Sequence, residues 1–152
     1  MSTVSIAVQP PQAAHPGQVL YPPVIAKMAT RSSHEPHYYF AKAILLDHSG
    51  TAVEGALSGD APPTGVLVDS HVVFVFSDLS IVTPGEYKIS LEVYKVAYED
   101  STGITICTET ETRDISIAVS NGDDHHARPS SAERAYIRTL RDAGIDVPSR
   151  SS

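Results

Sequence analysis

Hydrophobic and polar positions alternate with a period of two along most of the chain, and the period lengthens to that of a helix only near residue 130. Val4, Ile6 and Val8 alternate with Ser5, Ala7 and Gln9, the mark of a half-buried strand, and Pro10-Pro11 ends it. A loop follows to Tyr21-Pro22-Pro23, where the prolines hold the chain extended. Residues 24–28 read as a short strand and residues 30–36 as a polar loop. Residues 38–46 are rich in aromatic and β-branched types between Pro36 and the turn cluster Asp47-His48-Ser49-Gly50, which predicts a core strand. Residues 51–65 hold three glycines and two prolines, so an irregular segment is expected, with a short strand near 53–57.

The pattern resumes over residues 66–77, read as one strand and strongest at Val72-Val73-Phe74-Val75-Phe76. Its apolar residues lie on both faces, which predicts cover on both sides or a strand end inside a sandwich. Thr83-Pro84-Gly85-Glu86 is a turn. Beyond it, Tyr87, Ile89, Leu91 and Val93 face one way while Lys88, Ser90 and Glu92 face the other. A polar turn is expected over 99–103. Residues 105–112 alternate threonine with Ile106 and then with Glu109 and Glu111, which suits an exposed edge strand. Ile115, Ile117 and Val119 predict a last strand, closed by Asn121-Gly122-Asp123-Asp124.

About seven short strands with no helix before residue 130 favour an all-β antiparallel β-sandwich with one C-terminal α-helix over an α/β fold. The expected organisation is a single domain over 1–150, with strands over about 4–119, a helix over about 130–143 and a frayed tail over 146–152. Ser130 and Glu133 fit a capping box, and Gly144 fits the position past the helix end where a positive φ costs little. Tyr136, Leu140 and Ala143, with Ile137 beside them, form the apolar stripe. Arg134, Arg138 and Arg141 follow one another at i, i+4 and i+7 on a different face.

Composition sharpens this picture. Apolar residues make up 41% and charged residues 19% of 152 residues, too apolar for a wholly disordered chain. Net charge is −7 and unevenly spread. From residue 128 onward five arginines meet three acids, whereas residues 1–127 carry six basic and fifteen acidic residues. An acidic body repels the phosphate backbone, so any nucleic-acid contact must rest on a local basic patch or on a partner chain. The single cysteine, Cys107, cannot form an internal disulfide and excludes paired-cysteine zinc patterns. The opening residues lack a basic stretch followed by a long apolar one, and no uncharged apolar run is long enough to span a membrane. A cytoplasmic or nuclear protein is therefore expected.

Catalytic signatures do not appear. There is no phosphate-binding glycine loop, no Gly-x-Gly-x-x-Gly turn and no Gly-x-Ser-x-Gly elbow. Cys107 lies mid-strand among threonines with nothing nearby in sequence to lower its pKa, so it reads as a packing or edge residue. His34-Glu35-Pro36-His37 has its histidines three apart, but the proline prevents an ordinary helical face at that spacing. Asp123-Asp124-His125-His126 reads either as a loose divalent-ion site or as a solvated polar loop. His15, His48 and His71 are scattered. No catalytic residue, metal ligand or cofactor site is assigned, and an enzyme is not expected.

Three stretches together resemble the velvet domain of fungal developmental regulators. The first is Val8-Gln9-Pro10 followed by Tyr21-Pro22-Pro23-Val24-Ile25. The second, and most specific, is Val75-Phe76-Ser77-Asp78-Leu79-Ser80-Ile81, leading through Pro84-Gly85-Glu86-Tyr87-Lys88-Ile89 into Leu91-Glu92-Val93-Tyr94. The third is the closing helix with Gly144 and Arg150, and residues 38–59 match the strand opening the family's middle section. The resemblance implies an immunoglobulin-like sandwich similar to the Rel/NF-kappaB DNA-binding region. It also implies a nuclear regulator of spore development and secondary metabolism that pairs with itself or with other velvet proteins and binds DNA. In the family, the segment before the proline cluster is longer, rich in Arg and Lys, and contributes to DNA contact. Here residues 11–21 contain neither, so those contacts are not carried over.

The expected function is a velvet-type regulatory subunit, a homo- or heterodimer whose partner supplies most of the DNA contact. A direct DNA binder would use Arg128, Arg134, Arg138 and Arg141, a set that otherwise reads as a solvated helix face. The alternative is an immunoglobulin-like interaction module or scaffold that does not bind DNA. No small-molecule substrate or membrane is implied, and the expected location is nucleus and cytoplasm.

Overall fold

The computed structural model describes residues 4–29, 39–59, 63–68, 70–96, 104–119, 130–145 and 147. The chain forms β1 (Val4–Val8), β2 (Ala13–Ala14), β3 (Val24–Ala29), β4 (Tyr39–Asp47), β5 (Leu57–Ser58) and β6 (Val66–Val68). These are followed by β7 (His71–Phe76), β8 (Ser80–Ile81), β9 (Gly85–Val96), β10 (Ile104–Glu111), β11 (Ile115–Ile117) and α1 (Ser131–Asp142). Sheet I has the order β1-β3-β7-β6, antiparallel throughout. Sheet II is built on the long strand β9, with β4 along one edge and β10 and β11 along the other. β2 adds to β11 as a parallel pair, and β5 pairs with β8 as a small ribbon. Among the described residues the fold is the all-β sandwich with one C-terminal helix that the sequence pattern predicts.

The alternation of β9 becomes the core. Tyr87, Ile89, Leu91 and Val93 turn inward from β9 beside Tyr39, Ala41, Ala43 and Leu45 of β4. They meet Val24, Ala26 and Met28 of β3 and Val72, Phe74 and Phe76 of β7 across the sandwich. Phe74 and Leu91 are fully buried. Side chains of this size contribute roughly 1.5–3 kcal/mol each on burial. The layers also join at their margins. The Val4 N–H donates to Thr108 Oγ1 at 3.3 Å, linking β1 to β10. On the opposite margin the Gly65 N–H donates to the Tyr39 carbonyl at 2.9 Å, linking the approach to β6 with β4.

The apolar pattern on both faces of β7 has a physical cause. Its inner face feeds the main core, while Val73 and Val75 face outward with Val8, Ile25 and Val68. α1 covers this outer face with Ile137, Leu140 and half-buried Tyr136. Its first turn is set as predicted: Ser130 Oγ accepts from the Glu133 N–H, and Glu133 Oε1 accepts from the Ser130 N–H. Gly144 has φ +89° at the far end.

The corner before β9 is locked by Tyr87. Its hydroxyl donates to the Thr83 carbonyl at 3.0 Å and lies 3.2 Å from that of Pro84, the tyrosine corner found in immunoglobulin-like sandwiches. A Cβ at Gly85 would lie 3.0 Å from the Tyr87 ring and hydroxyl, so glycine is needed for this close approach.

Several expectations need correction. Residues 66–77 are two strands, because the chain reverses at Ser70, a non-glycine residue with φ +67°. The strand expected near 53–57 shrinks to Leu57–Ser58; the Val53 N–H instead donates to the Leu45 carbonyl, along the edge of β4. Val119 lies beyond β11 and is 76% exposed. Ala143 is exposed at the helix end, so Ile137 with Leu140 forms the centre of the helix contact. The turns expected at 99–103 and 121–124 lie outside the described residues, as does most of the expected tail.

Candidate functional site

The predicted basic stripe lies on α1, and the docking of α1 fixes where it points. Glu133 is the hinge of that docking: while Oε1 closes the capping box, Oε2 accepts the Gln9 N–H at 2.7 Å. One carboxylate thus ties the helix start to the chain leaving β1. Arg113 braces the same corner, its N–H donating to Gln9 Oε1 at 3.1 Å and its Nη2 to the Pro10 carbonyl at 3.0 Å. Tyr136 packs beneath Lys27, whose Nζ lies 5.3 Å from the ring centroid, within cation–π range.

Arg134, Arg138 and Arg141 are all exposed on the helix. Their surroundings differ. Arg134 Nη2 lies 3.4 Å from Ser131 Oγ, one turn back on the same helix. Arg141 has a structural partner: Nε and Nη2 both donate to the Val147 carbonyl at 3.3 Å, holding the tail while Val147 itself is buried. A cation in the last turn also complements the helix dipole. Arg134 and Arg138 are therefore better placed than Arg141 to meet an outside anion. Arg128 lies outside the described residues.

The N-terminal loop does not join this stripe as a phosphate-gripping arm; it is built into the sandwich. Pro10, Pro11 and Ala14 are buried, and β2 pairs with β11. The Gly17 N–H donates to the Ile81 carbonyl at 2.9 Å and the Leu20 N–H to that of Leu79 at 2.8 Å. The loop that lacks Arg and Lys is thus anchored along its length.

β10 is the edge of sheet II, as expected. Glu109 and Glu111 are exposed on it, and Thr112, just beyond, turns inward to accept the Ile89 N–H at 3.0 Å. Cys107 lies at the bulge where the register with β9 shifts; its side chain falls outside the described residues. Glu92 on β9 accepts the Tyr94 hydroxyl at 2.7 Å, and this bond with the nearby carboxylate charge raises the Tyr94 phenol above its ordinary pKa. At the β4 turn, Asp47 is held below the ordinary carboxylate range by the Ser49 hydroxyl and by the Thr51 and Ser49 N–H groups.

Two open clefts lie on sheet II, one along β4 and one at the start of β9. One, of about 300 Å³, is lined by residues 42–45, 52–55 and Leu57. The other, of about 330 Å³, is lined by His48, Glu86, Tyr87, Lys88 and Asp114. In the second, Lys88 pairs with Asp114 at 3.8 Å, Glu86 accepts from the Ser116 hydroxyl at 2.9 Å, and the Tyr87 hydroxyl is bound to backbone. Among the described residues no three His, Cys, Asp or Glu side chains converge as metal ligands. The sequences His34-Glu35-Pro36-His37 and Asp123-Asp124-His125-His126 lie outside the described residues.

Sequence reasoning found the arginine stripe but missed Gln9, Pro10 and Arg113, which fix the helix start. The Val8-Gln9-Pro10 stretch was visible, but a bond made 124 residues away leaves no local pattern. No family model matches the chain, and no curated protein matches it.

Proposed function

We propose that the chain is a velvet-type transcriptional regulatory subunit of fungal development and secondary metabolism. It acts in the nucleus and cytoplasm as a homo- or heterodimer whose partner supplies most of the DNA contact. The observation that carries this division of labour is the anchored N-terminal loop. It has no Arg or Lys, and backbone bonds to Leu79 and Ile81 keep it on the sandwich. The run of residues 75–94, on which the resemblance mainly rests, forms the β7-to-β9 corner locked by Tyr87, and this supports the same reading.

The helix stripe then gives a minor phosphate contact through Arg134 and Arg138. Each phosphate contact contributes about 0.9 to the slope of log K against log salt. The isolated chain is expected to show a shallow slope, about 2–3, and the double variant Arg134→Ala/Arg138→Ala should reduce it by about 2. Fluorescence anisotropy on a labelled duplex across a salt series measures this. A slope of about 6 or more that survives the double variant would overturn the division of labour. The alternative reading, an interaction module that does not bind DNA, is favoured by the engagement of Arg141 with Val147. Complete absence of binding at low salt, both alone and in a partner complex, would select it.

A further inference from the structure

The two outer faces of the sandwich are treated differently. α1 covers that of sheet I, whereas among the described residues no element lies across that of sheet II. Register gives the composition of this open face. Phe40 of β4 neighbours Tyr94 of β9; Lys42 neighbours Glu92, which neighbours Glu109 of β10; Ile44 neighbours Ser90, which neighbours Glu111. The β4 column is thus largely apolar, with part-exposed Phe40, Ile44 and Leu46, and the β10 column is acidic.

Glu92 and Glu109 stand directly opposite each other, a like-charge cross-strand pair that opposes sheet formation. Protection of a sheet edge accounts for Glu109 and Glu111. Glu92, on the central strand, has Lys42 of β4 on its other side and accepts the Tyr94 hydroxyl, so one base stands beside the three acids of this face. Among the described residues neither Glu109 nor Glu111 has an ion-pair partner, and the nearby Lys88 is already paired with Asp114. Beside Glu92, Phe40 and Tyr94 stack with centroids 5.2 Å apart and planes 14° apart. Carboxylates next to part-exposed aromatic rings suit a guanidinium, which takes a carboxylate with a planar fork and stacks on a ring; an ammonium has no plane to offer.

We propose that the outer face of sheet II is a docking surface for an arginine-bearing segment of a partner protein. Its guanidinium groups meet Glu92, Glu109 and Glu111, and its apolar side chains lie along Phe40, Ile44 and Leu46. Charge complementarity selects this occupant: among the described residues Lys42 is the one unpaired base beside Glu92, Glu109 and Glu111, Lys88 being held by Asp114, so the face keeps an excess of acid that a guanidinium at Glu109 would meet. The surface is on the opposite side of the sandwich from α1, so it stands whether or not the helix arginines touch DNA.

The test titrates the intact chain with labelled octa-arginine and, separately, octa-lysine peptides of equal charge. Octa-arginine is expected to bind more tightly, with amide shifts confined to β4, β9 and β10 in NMR spectra. Glu92→Gln/Glu109→Gln should weaken it roughly tenfold or more, since charge-assisted bonds are lost. The charge-matched control Asp78→Asn/Asp142→Asn changes two exposed acids elsewhere and should leave binding within about twofold. The single variant Glu109→Gln should weaken octa-arginine binding too and should fold at least as stably as the parent, because it removes the like-charge pair while leaving Glu92 with Lys42 and the Tyr94 hydroxyl. Equal binding of the two peptides, or equal weakening by the control, would reduce the effect to net charge and overturn the proposal. Self-association of the chain through this face would likewise overturn it, by assigning the occupant to a second copy.

Discussion

Leu140→Ala is expected to lower the unfolding free energy by about 2–5 kcal/mol, the range for emptying a buried leucine site. Leu140 is fully buried, and with Ile137 it seals the outer face of sheet I over Val8, Ile25 and Val73. The cavity would open at the centre of the apolar packing that holds α1, so the stripe of Arg134 and Arg138 would lose its fixed direction as well. Ala143→Ser is the matching control. Ala143 ends the sequence-predicted stripe yet is exposed, so its change should stay within about 0.5 kcal/mol. Urea denaturation followed by circular dichroism measures both. Equal losses would mean that Ala143 is packed as tightly as Leu140 and that the covered face runs to the helix end.

The second large effect is expected at Gly59. Gly55 and Gly59 both have positive φ, +81° and +75°. A Cβ at Gly55 would meet nothing within 4 Å, whereas at Gly59 it would sit on the Asp78 carbonyl, 2.6 Å from the carbon. Gly55→Ala should therefore cost only the left-handed conformation, roughly 1–2 kcal/mol. Gly59→Ala adds a clash with backbone, which cannot rotate away, and should cost about 3 kcal/mol or more. The clash would force apart the β5–β8 ribbon, where Leu57 pairs with Ile81 and Ser58 with Ser80. Denaturation midpoints of the two variants check the difference; equal midpoints would show that the ribbon yields freely.

Much of this fold was legible because burial leaves a period. The inward set Tyr87, Ile89, Leu91 and Val93 reads directly from the sequence, and so does the apolar pattern on both faces of β7. The capping box reads from Ser130 and Glu133 because it is local. What stayed hidden lacks either length or locality. β2 and β8 are two residues each, too short to show alternation. The reversal between β6 and β7 uses Ser70 at positive φ, where no glycine marks the turn. Ala143 looked like part of the stripe because spacing alone does not tell where a helix stops being covered.

The candidate surfaces divide in the same way. The i, i+4, i+7 spacing of Arg134, Arg138 and Arg141 was visible, but the engagement of Arg141 with the Val147 carbonyl was not. Glu109 and Glu111 read as edge residues, and only the register shows Glu109 facing Glu92 on a sheet face that no described element covers. Both surfaces are outward-facing and charged, and the covered layers between them are a packed core. That arrangement suits a scaffold working through what docks on it.

The most direct test is light scattering after size exclusion of the intact chain, alone and mixed in turn with velvet-domain proteins of its own organism. A 1:1 complex with at least one of them, or a homodimer, is the predicted result. A strictly monomeric chain that ignores every such partner would contradict the account.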